Sequence, residues 1–342
     1  MGVMSRETAG ALIEAAFAAA DEHGAVSFAF QGGEPTVAGL DFFRDFVAMV
    51  SAFRPLDRQV SYALQTNGMA LNEEWTHFLK ENQFLVGLSV DGYRELHDHY
   101  RVDTKGEGTY GRVAKALALL QKFEVETNLL CVVTGQCAKH PQKTYASMKK
   151  LGVRYLQFIP CLDPLEEQRG RAVYSLTPKL YGDFLCGLFD QWYRDWAEGH
   201  YTSVRLFDDY VHLAMGEPAS TCAASGGCGS YFVVEADGGV YPCDFYVLDR
   251  YRLGSLNVNS LKEVEQKRDA LGFVDASRKV EKECLTCRWY PLCRGGCRRD
   301  RERPDGTLGL NCYCKAYRGF FEYAISGLEQ VARLAQTGGF GS

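Results

Sequence analysis

Nine of the chain's 13 cysteines fall between Cys222 and Cys314, in a stretch with little hydrophobic periodicity of its own. A segment that cannot build an apolar face needs another source of cohesion, and thiols at this density offer a metal centre. Cys284-x2-Cys287-x5-Cys293-x3-Cys297 supplies four thiols whose short spacers let the backbone turn around one centre. Cys222-x5-Cys228 and Cys243 stand upstream, and Cys312 and Cys314 downstream. The odd count, with no secretion signal, argues against a disulfide framework and for a reducing compartment. The Ala-rich start is no signal peptide, because Glu7 precedes it and Glu14 interrupts it. Thiols suit structural zinc and iron–sulfur clusters alike, so spacing alone leaves both open.

The remaining cysteines, Cys131, Cys137, Cys161 and Cys186, are widely spread through a different kind of sequence. Short apolar runs at Val26–Phe30, Val60–Leu64, Leu85–Val90, Asn128–Val133, Leu156–Ile159 and Val204–Phe207 read as strands closed by polar or glycine residues. Between them lie helical patterns, including Ala11, Leu12, Ala15 and Ala16, the run Phe42 to Val50, Val113–Leu120 and Leu180–Trp196. Ser5 with Thr8 marks the start of the first helix. Repeated βα units predict a mostly parallel sheet, with ligands at the carboxyl ends of its strands. The pattern opens on a helix with no strand before it, so a barrel of this kind lacks its first strand.

We therefore divide the chain into a partial (β/α)6 barrel over residues 1–215 and a cysteine-rich domain over 216–342. In the latter, Tyr231–Glu235 and Val240–Tyr246 flank Ala236-Asp237-Gly238-Gly239, a hairpin signal. A helix from Tyr317 to Leu334 closes the domain, and the rest reads as loops. At 342 residues, 46% hydrophobic and with a net charge of −5, the chain is long enough for a large core and has no basic excess for nucleic acid. No apolar run reaches the roughly 18 residues of a membrane span. Arg294, Arg298, Arg299, Arg301 and Arg303 alternate with acids, so this stretch is expected to form a solvated face. His97 and His99 are expected in surface or core roles rather than as metal ligands.

Several motifs recur in order along the chain: Gln31-Gly32-Gly33-Glu34-Pro35, Gln65-Thr66-Asn67-Gly68, Ser89-Val90-Asp91-Gly92, His97-Asp98-His99-Tyr100-Arg101, Gly108-Thr109-Tyr110 and Cys161-Leu162-Asp163-Pro164. Pro242-Cys243-Asp244 and Asn311-Cys312-Tyr313-Cys314-Lys315-Ala316-Tyr317 follow in the second region. Together with the cysteine run, they resemble the radical S-adenosylmethionine (SAM) enzymes that carry a SPASM domain, and among these the anaerobic sulfatase-maturating enzymes. The resemblance covers nearly the whole chain, from Met4-Ser5 to Phe320-Phe321-Glu322-Tyr323.

This resemblance implies one auxiliary [4Fe-4S] cluster on Cys222, Cys228, Cys243 and Cys297, and a second on Cys284, Cys287, Cys293 and Cys314. Cys312 and the four scattered cysteines are then packing residues. It implies a SAM site drawn from Gln31, Gly32, Gly33, Glu34, Thr66, Asn67, Ser89, Asp91, Arg101 and Leu162. Gly33 would meet the methionine amino group, Ser89 and Arg101 its carboxylate and ribose side, and Leu162 the adenine. The implied reaction uses a 5′-deoxyadenosyl radical to oxidise Cys or Ser in a Cys/Ser-x-Pro-x-Arg sulfatase segment to Cα-formylglycine, with Asp244 as the base. The partners would be a sulfatase polypeptide and a low-potential electron donor such as flavodoxin or ferredoxin, in an anaerobic cytoplasm, without nucleic acid or membrane.

The chain departs from the family at one point. The Cys-x3-Cys-x2-Cys motif that holds the SAM-cleaving cluster is absent. In the family it lies just before the helix that starts here near Ser5, so the expectation is an N-terminally truncated reading frame. The third cluster then forms only when that segment is restored. Two further readings stay open: a non-catalytic iron–sulfur or electron-transfer protein, and a SPASM peptide maturase making thioether or other crosslinks.

Overall fold

The computed structural model describes residues 2–21, 24–54, 58–165, 167–229 and 231–337. Helices and strands alternate in the first half: α1 (Arg6–Ala19), β1 (Ala25–Phe30), α2 (Leu40–Phe53), β2 (Gln59–Thr66), α3 (Glu73–Glu81) and β3 (Phe84–Ser89). They continue with α4 (Arg94–Tyr100), α5 (Tyr110–Lys122), β4 (Thr127–Val133), α6 (Pro141–Lys149), β5 (Tyr155–Pro160), α7 (Pro178–Ala197), β6 (Ser203–Val204) and α8 (Arg205–Ala214). A cysteine-rich region follows, so the architecture is α/β with parallel strands and a cysteine-rich C-terminal part. Two compact units arise, each from discontinuous segments. One is Met1–Leu88, Lys115–Thr127 and Gly229–Ala276; the other is Ser89–Ala114, Asn128–Cys228 and Ser277–Ser342.

In the first unit, β1 pairs parallel with β2 and β2 with β3, in a register that sets Val26 beside Val60 and Leu64 beside Val86. Alternation along β1 turns Val26 and Phe28 inward. There they meet Ala9, Ile13 and Phe17 of α1 and Phe46 and Val50 of α2, each set at helical spacing. Ser5 caps α1 as the sequence predicts, its Oγ accepting from the Thr8 N–H at 3.1 Å. Phe28 meets Phe46 edge-on at 5.2 Å, a favoured aromatic geometry.

The predicted hairpin forms with short strands, β7 (Val233–Val234) and β8 (Gly239–Tyr241), and β9 (Gly254–Ser255) adds to β8. Gly238 takes φ +79°, as the turn requires. Residues 244–246 leave the strand for a 3-10 turn. Leu12 and Ala15 of α1 pack against Val240, Leu253, Leu256 and Val264, so this helix is shared by two apolar clusters within the unit. The segment expected as loop beyond the hairpin contains a helix, Leu261–Ala270. A capping box starts it, with Ser260 and Glu263 bonding each other's backbone N–H.

In the second unit, β4 pairs parallel with β5 and β5 with β6. The strand expected at Val204–Phe207 ends at Val204, and α8 begins at Arg205. Phe207, Tyr210 and Val211 are buried at helical spacing, and that face overrides the local strand propensity. The helix Cys314–Gln336 extends the predicted Tyr317–Leu334 at both ends and lies along α7. Phe320 stacks on Phe207 at 5.6 Å and meets Phe189 edge-on at 5.9 Å.

One glycine binds turn geometry to packing in the first unit. Gly68 has φ +75°, and a Cβ there would lie 2.7 Å from Leu88 Cδ1. Gly68→Ala should therefore destabilise the protein by about 1–3 kcal/mol, seen as a lower urea midpoint with an unchanged slope.

Candidate active site and cysteine centres

The glycine-rich turn after β1 is held by one carboxylate. Glu34 Oε1 accepts from the Thr36 N–H at 3.1 Å, the Thr36 hydroxyl at 2.7 Å and the Thr66 hydroxyl at 2.7 Å. Its Oε2 accepts from the Asn67 N–H at 2.7 Å. The ends of β1 and β2 are thereby stapled together, and Thr66 Oγ1 also accepts from the Gly68 N–H. Gly32 and Gly33 face open space, where an added Cβ would meet nothing within 4 Å. Their exposed backbone, with Gln31 beside it, can be approached closely by a ligand.

In the second unit, three motifs interlock. Asp91, 5% exposed, accepts from Arg101 Nε at 2.6 Å and from the Val132 N–H at 2.9 Å. His97 is fully buried, and its Nδ1 accepts from the Asp91 N–H at 3.2 Å. Its Nε2 lies 3.0 Å from Thr109 Oγ1, whose own proton goes to the Arg101 carbonyl. Thr109 must therefore accept, which fixes the Nε2–H tautomer of a neutral imidazole. Gly108 is needed because a Cβ there would fall 2.3 Å from the Asp98 carboxyl carbon, and the Tyr110 N–H donates to Asp98. Ser89 is buried at the end of β3, and Leu162 is half-buried beyond β5. The ten expected SAM residues thus divide, Gln31 to Asn67 in one unit and Ser89, Asp91, Arg101 and Leu162 in the other.

Asp244 is exposed and opens the 3-10 turn after Cys243. Its Oδ1 accepts from the Tyr231 hydroxyl at 3.0 Å, which also lies 3.3 Å from Cys243 Sγ. Burial first, then the Cys243 contact, pushes the Tyr231 phenol far up, so it stays a donor. No local pattern marks Tyr231, because only the hairpin brings it back to Asp244.

Among the described residues no cysteine pairs with another in a disulfide. Cys284, Cys287, Cys293 and Cys314 line one small cavity, walled by Trp289 and Phe321. Burial pushes the Cys293 thiol up to about 11 and raises Cys284 and Cys314 as well. Among the described residues, no three His, Cys, Asp or Glu side chains converge as they would on one metal ion. Four thiols spread around a cavity fit the larger span of an iron–sulfur cluster.

Cys222, Cys228 and Cys297 belong to the second unit and Cys243 to the first. Within the second unit, Gly226 approaches Arg294 so closely that a Cβ would fall 2.3 Å from its carbonyl oxygen. The Cys222–Cys228 loop is thus pressed against the Cys293–Cys297 run. Cys131 and Cys137 are fully buried, as expected of packing residues. Cys312 receives Arg169 Nη1 at 3.1 Å.

The basic stretch is a solvated face only at its end, where Arg303 is exposed; Arg294 is half-buried and residues 298–302 between them are buried. Arg298, Arg299, Asp300, Arg301 and Glu302 are all 9% exposed or less. Arg299 donates to the Asp163 carbonyl and Arg301 to those of Ser277 and Lys279, while Arg298 pairs with Glu302 at 3.6 Å. Distant carbonyls make this burial feasible, and no local pattern reveals them. Burial pushes Asp300 up to about 6, against the pull of Arg169 at 3.7 Å.

The His97 network has a pH signature. Burial lowers the His97 pKa below its ordinary 6.5. Below that pH the unfolded imidazole takes up a proton that the native one excludes, so its contribution to stability is complete above 6.5 and lost as pH falls. Urea midpoints should drop as pH falls from 7 toward 5, at no more than about 1.4 kcal/mol per pH unit from this group. His97→Gln should flatten that slope; an equal slope in both proteins would remove His97 as its source.

The radical SAM superfamily profile matches residues 4–148, and a SPASM profile, an iron–sulfur cluster-binding domain, matches residues 226–288. A cysteine-type anaerobic sulfatase-maturating enzyme of Clostridium perfringens is 45% identical over 332 residues, 97% of this chain and 89% of that protein. Its counterpart in Clostridium novyi is 42% identical over 334 residues, 97% and 88% of the two chains. A serine-type enzyme of Klebsiella pneumoniae is 31% identical over 308 residues, 90% and 76% of the two chains. The solved structure of native anSMEcpe with bound AdoMet and Cp18Cys peptide matches with a TM-score of 0.94 at 44% identity, over 97% of this chain and 92% of that one. No helix among the described residues is long and apolar enough to cross a membrane. With its motifs tied together by these bonds and its similarity running over nearly its full length, the chain belongs to the anaerobic sulfatase-maturating enzymes of the radical SAM superfamily.

Proposed function

We propose that this protein oxidises a cysteine in a Cys-x-Pro-x-Arg segment of a sulfatase to Cα-formylglycine. The observation that carries this is the identity of 42–45% with cysteine-type enzymes, against 31% with a serine-type enzyme. The substrate would be a sulfatase polypeptide, with a flavodoxin or ferredoxin as electron donor, in the cytoplasm. Residues 1–215 would form the partial barrel and 216–342 the auxiliary-cluster domain.

SAM, when bound and reductively cleaved, supplies the hydrogen-atom abstraction. The chain's own part is to position and to move a proton. Glu34 holds the turn that offers the Gly32 and Gly33 backbone to the methionine amino group. Asp91 fixes Arg101 at 2.6 Å, which orients the guanidinium for the carboxylate and ribose side. Ser89 and Leu162 complete the SAM contacts.

Asp244 takes the thiol proton of the target cysteine. The Tyr231 bond fixes Oδ1, and Oδ2 accepts no hydrogen bond among the described residues, so it can serve as the base. In sum, a hydrogen atom leaves Cβ, a proton leaves sulfur and one electron leaves the substrate, for which a bound auxiliary iron–sulfur cluster would be the acceptor. Water then replaces sulfur, which departs as hydrogen sulfide. Cys284, Cys287, Cys293 and Cys314 would hold one [4Fe-4S] cluster, a reading supported by their shared cavity. Cys222, Cys228, Cys243 and Cys297 would hold the other.

The chain joined to a Cys-x3-Cys-x2-Cys segment ahead of Ser5 should lower the mass of a Cys-x-Pro-x-Arg peptide by about 18 Da, as CH2SH becomes CHO. Asp244→Asn should leave SAM cleavage intact and reduce product by a factor of about 100 or more; normal yield would remove the base assignment. The chain as it stands should carry about eight iron atoms, falling to about four in Cys287→Ala and unchanged in Cys312→Ala. Zinc in place of iron would end the cluster reading.

A further inference from the structure

Arg301 is the most enclosed cation of the buried Arg298–Glu302 stretch, at 3% exposure. Its Nη1 donates to the Lys279 carbonyl at 2.9 Å and its Nη2 to that of Ser277. These bonds solvate the guanidinium without neutralising it, and its Nε is buried with no hydrogen-bond partner among the described residues. The neighbouring acids have closer cations of their own, Arg169 for Asp300 at 3.7 Å and Arg298 for Glu302 at 3.6 Å. A buried charge without a dedicated counter-ion costs several kcal/mol, so its surroundings require an explanation.

Those surroundings are thiols. Burial lowers the Arg301 pKa, while Cys228, Cys297 and Cys284 lie close enough to pull it back up. Hydrogen bonding runs the same way: Ser277, whose carbonyl holds Arg301, accepts from the Cys228 N–H through its hydroxyl at 2.8 Å. A Cβ on Gly295, between Cys293 and Cys297, would sit 3.7 Å from Arg301 Nη1. Cys228 and Cys297 come from one proposed ligand set and Cys284 from the other.

We infer that Arg301 is a positioning residue that raises the reduction potentials of both auxiliary clusters by fixing one positive charge beside thiolates of each. This rests on the cluster reading above. Reduction adds an electron to a centre that is already anionic. A fixed cation stabilises the reduced form more than the oxidised one, and low-dielectric surroundings strengthen the effect. The fully formed thiolates would also supply the negative charge that the guanidinium lacks in the free protein.

The test uses the full chain, reconstituted anaerobically with iron and sulfide, as native protein, Arg301→Gln and Arg301→Lys. Iron per chain is measured, and both cluster signals are followed by electron paramagnetic resonance during titration with dithionite and mediators. Gln keeps a donor for the carbonyls but loses the charge, and Lys keeps the charge. Expected are native iron in all three proteins, lower potentials for both clusters in Arg301→Gln, and near-native potentials in Arg301→Lys. Loss of iron in the Gln variant alone would overturn it, because the residue would then act on cluster assembly rather than on potential. Unshifted potentials in Arg301→Gln, a shift at one cluster only, equal shifts in both variants, or equal loss of iron in both would overturn it. Native protein without iron–sulfur signals would overturn the cluster reading, and this inference with it.

Discussion

The second unit depends on burying charge where apolar side chains would ordinarily be used. Arg299 reaches the Asp163 carbonyl, Arg301 those of Ser277 and Lys279, and the Cys312 N–H donates to the Asp300 carbonyl. Arg169 donates to the Arg299 carbonyl in return. A short stretch thus ties the loop after β5, the segment beyond residue 276 and the final cysteines into one frame. Arginine suits this work because its planar fork serves two carbonyls at once and keeps its charge when buried. Small apolar residues could fill the same volume but could not satisfy those carbonyls.

The first unit shows the complementary arrangement. Its sheet is built conventionally, with Phe28 and Phe46 in contact and α1 and α2 laid over them. Polar groups concentrate at the strand ends, where Glu34 alone accepts four hydrogen bonds. A rigid apolar layer below and a satisfied polar layer above leave the Gly32–Gly33 backbone exposed and fixed in place. Such preorganisation costs nothing at the moment a ligand arrives.

Much of this was legible in sequence where the signal is local. The first five strands, the hairpin turn and the Ser5 cap follow from short β-branched runs, paired glycines and a hydroxyl ahead of a helical pattern. The motifs also pointed to Glu34, His97 and the cysteine run. Their roles were not legible, because Glu34 acts on Thr66 and Asn67, and His97 on Thr109, only after folding. The buried arginines misled for the same reason: alternating charge reads as a solvated face until the carbonyls that receive it are known. Val204–Phe207 misled in another way, since β-branched and aromatic residues at the start of α8 also carry a helical face.

The shared helix α1 has a consequence for how the protein is made. Its Leu12 and Ala15 close on Val240, Leu253, Leu256 and Val264, which leave the ribosome more than two hundred residues later. During synthesis β1 to β3 can pair early, but one flank of α1 stays uncovered until the hairpin and the helix after it emerge. Such long-range closure is slow, and it exposes apolar surface in the meantime. The nascent chain is therefore most vulnerable to aggregation before residue 276 is out. The last cysteines arrive later still, which makes cluster insertion a late event on a framework already half assembled.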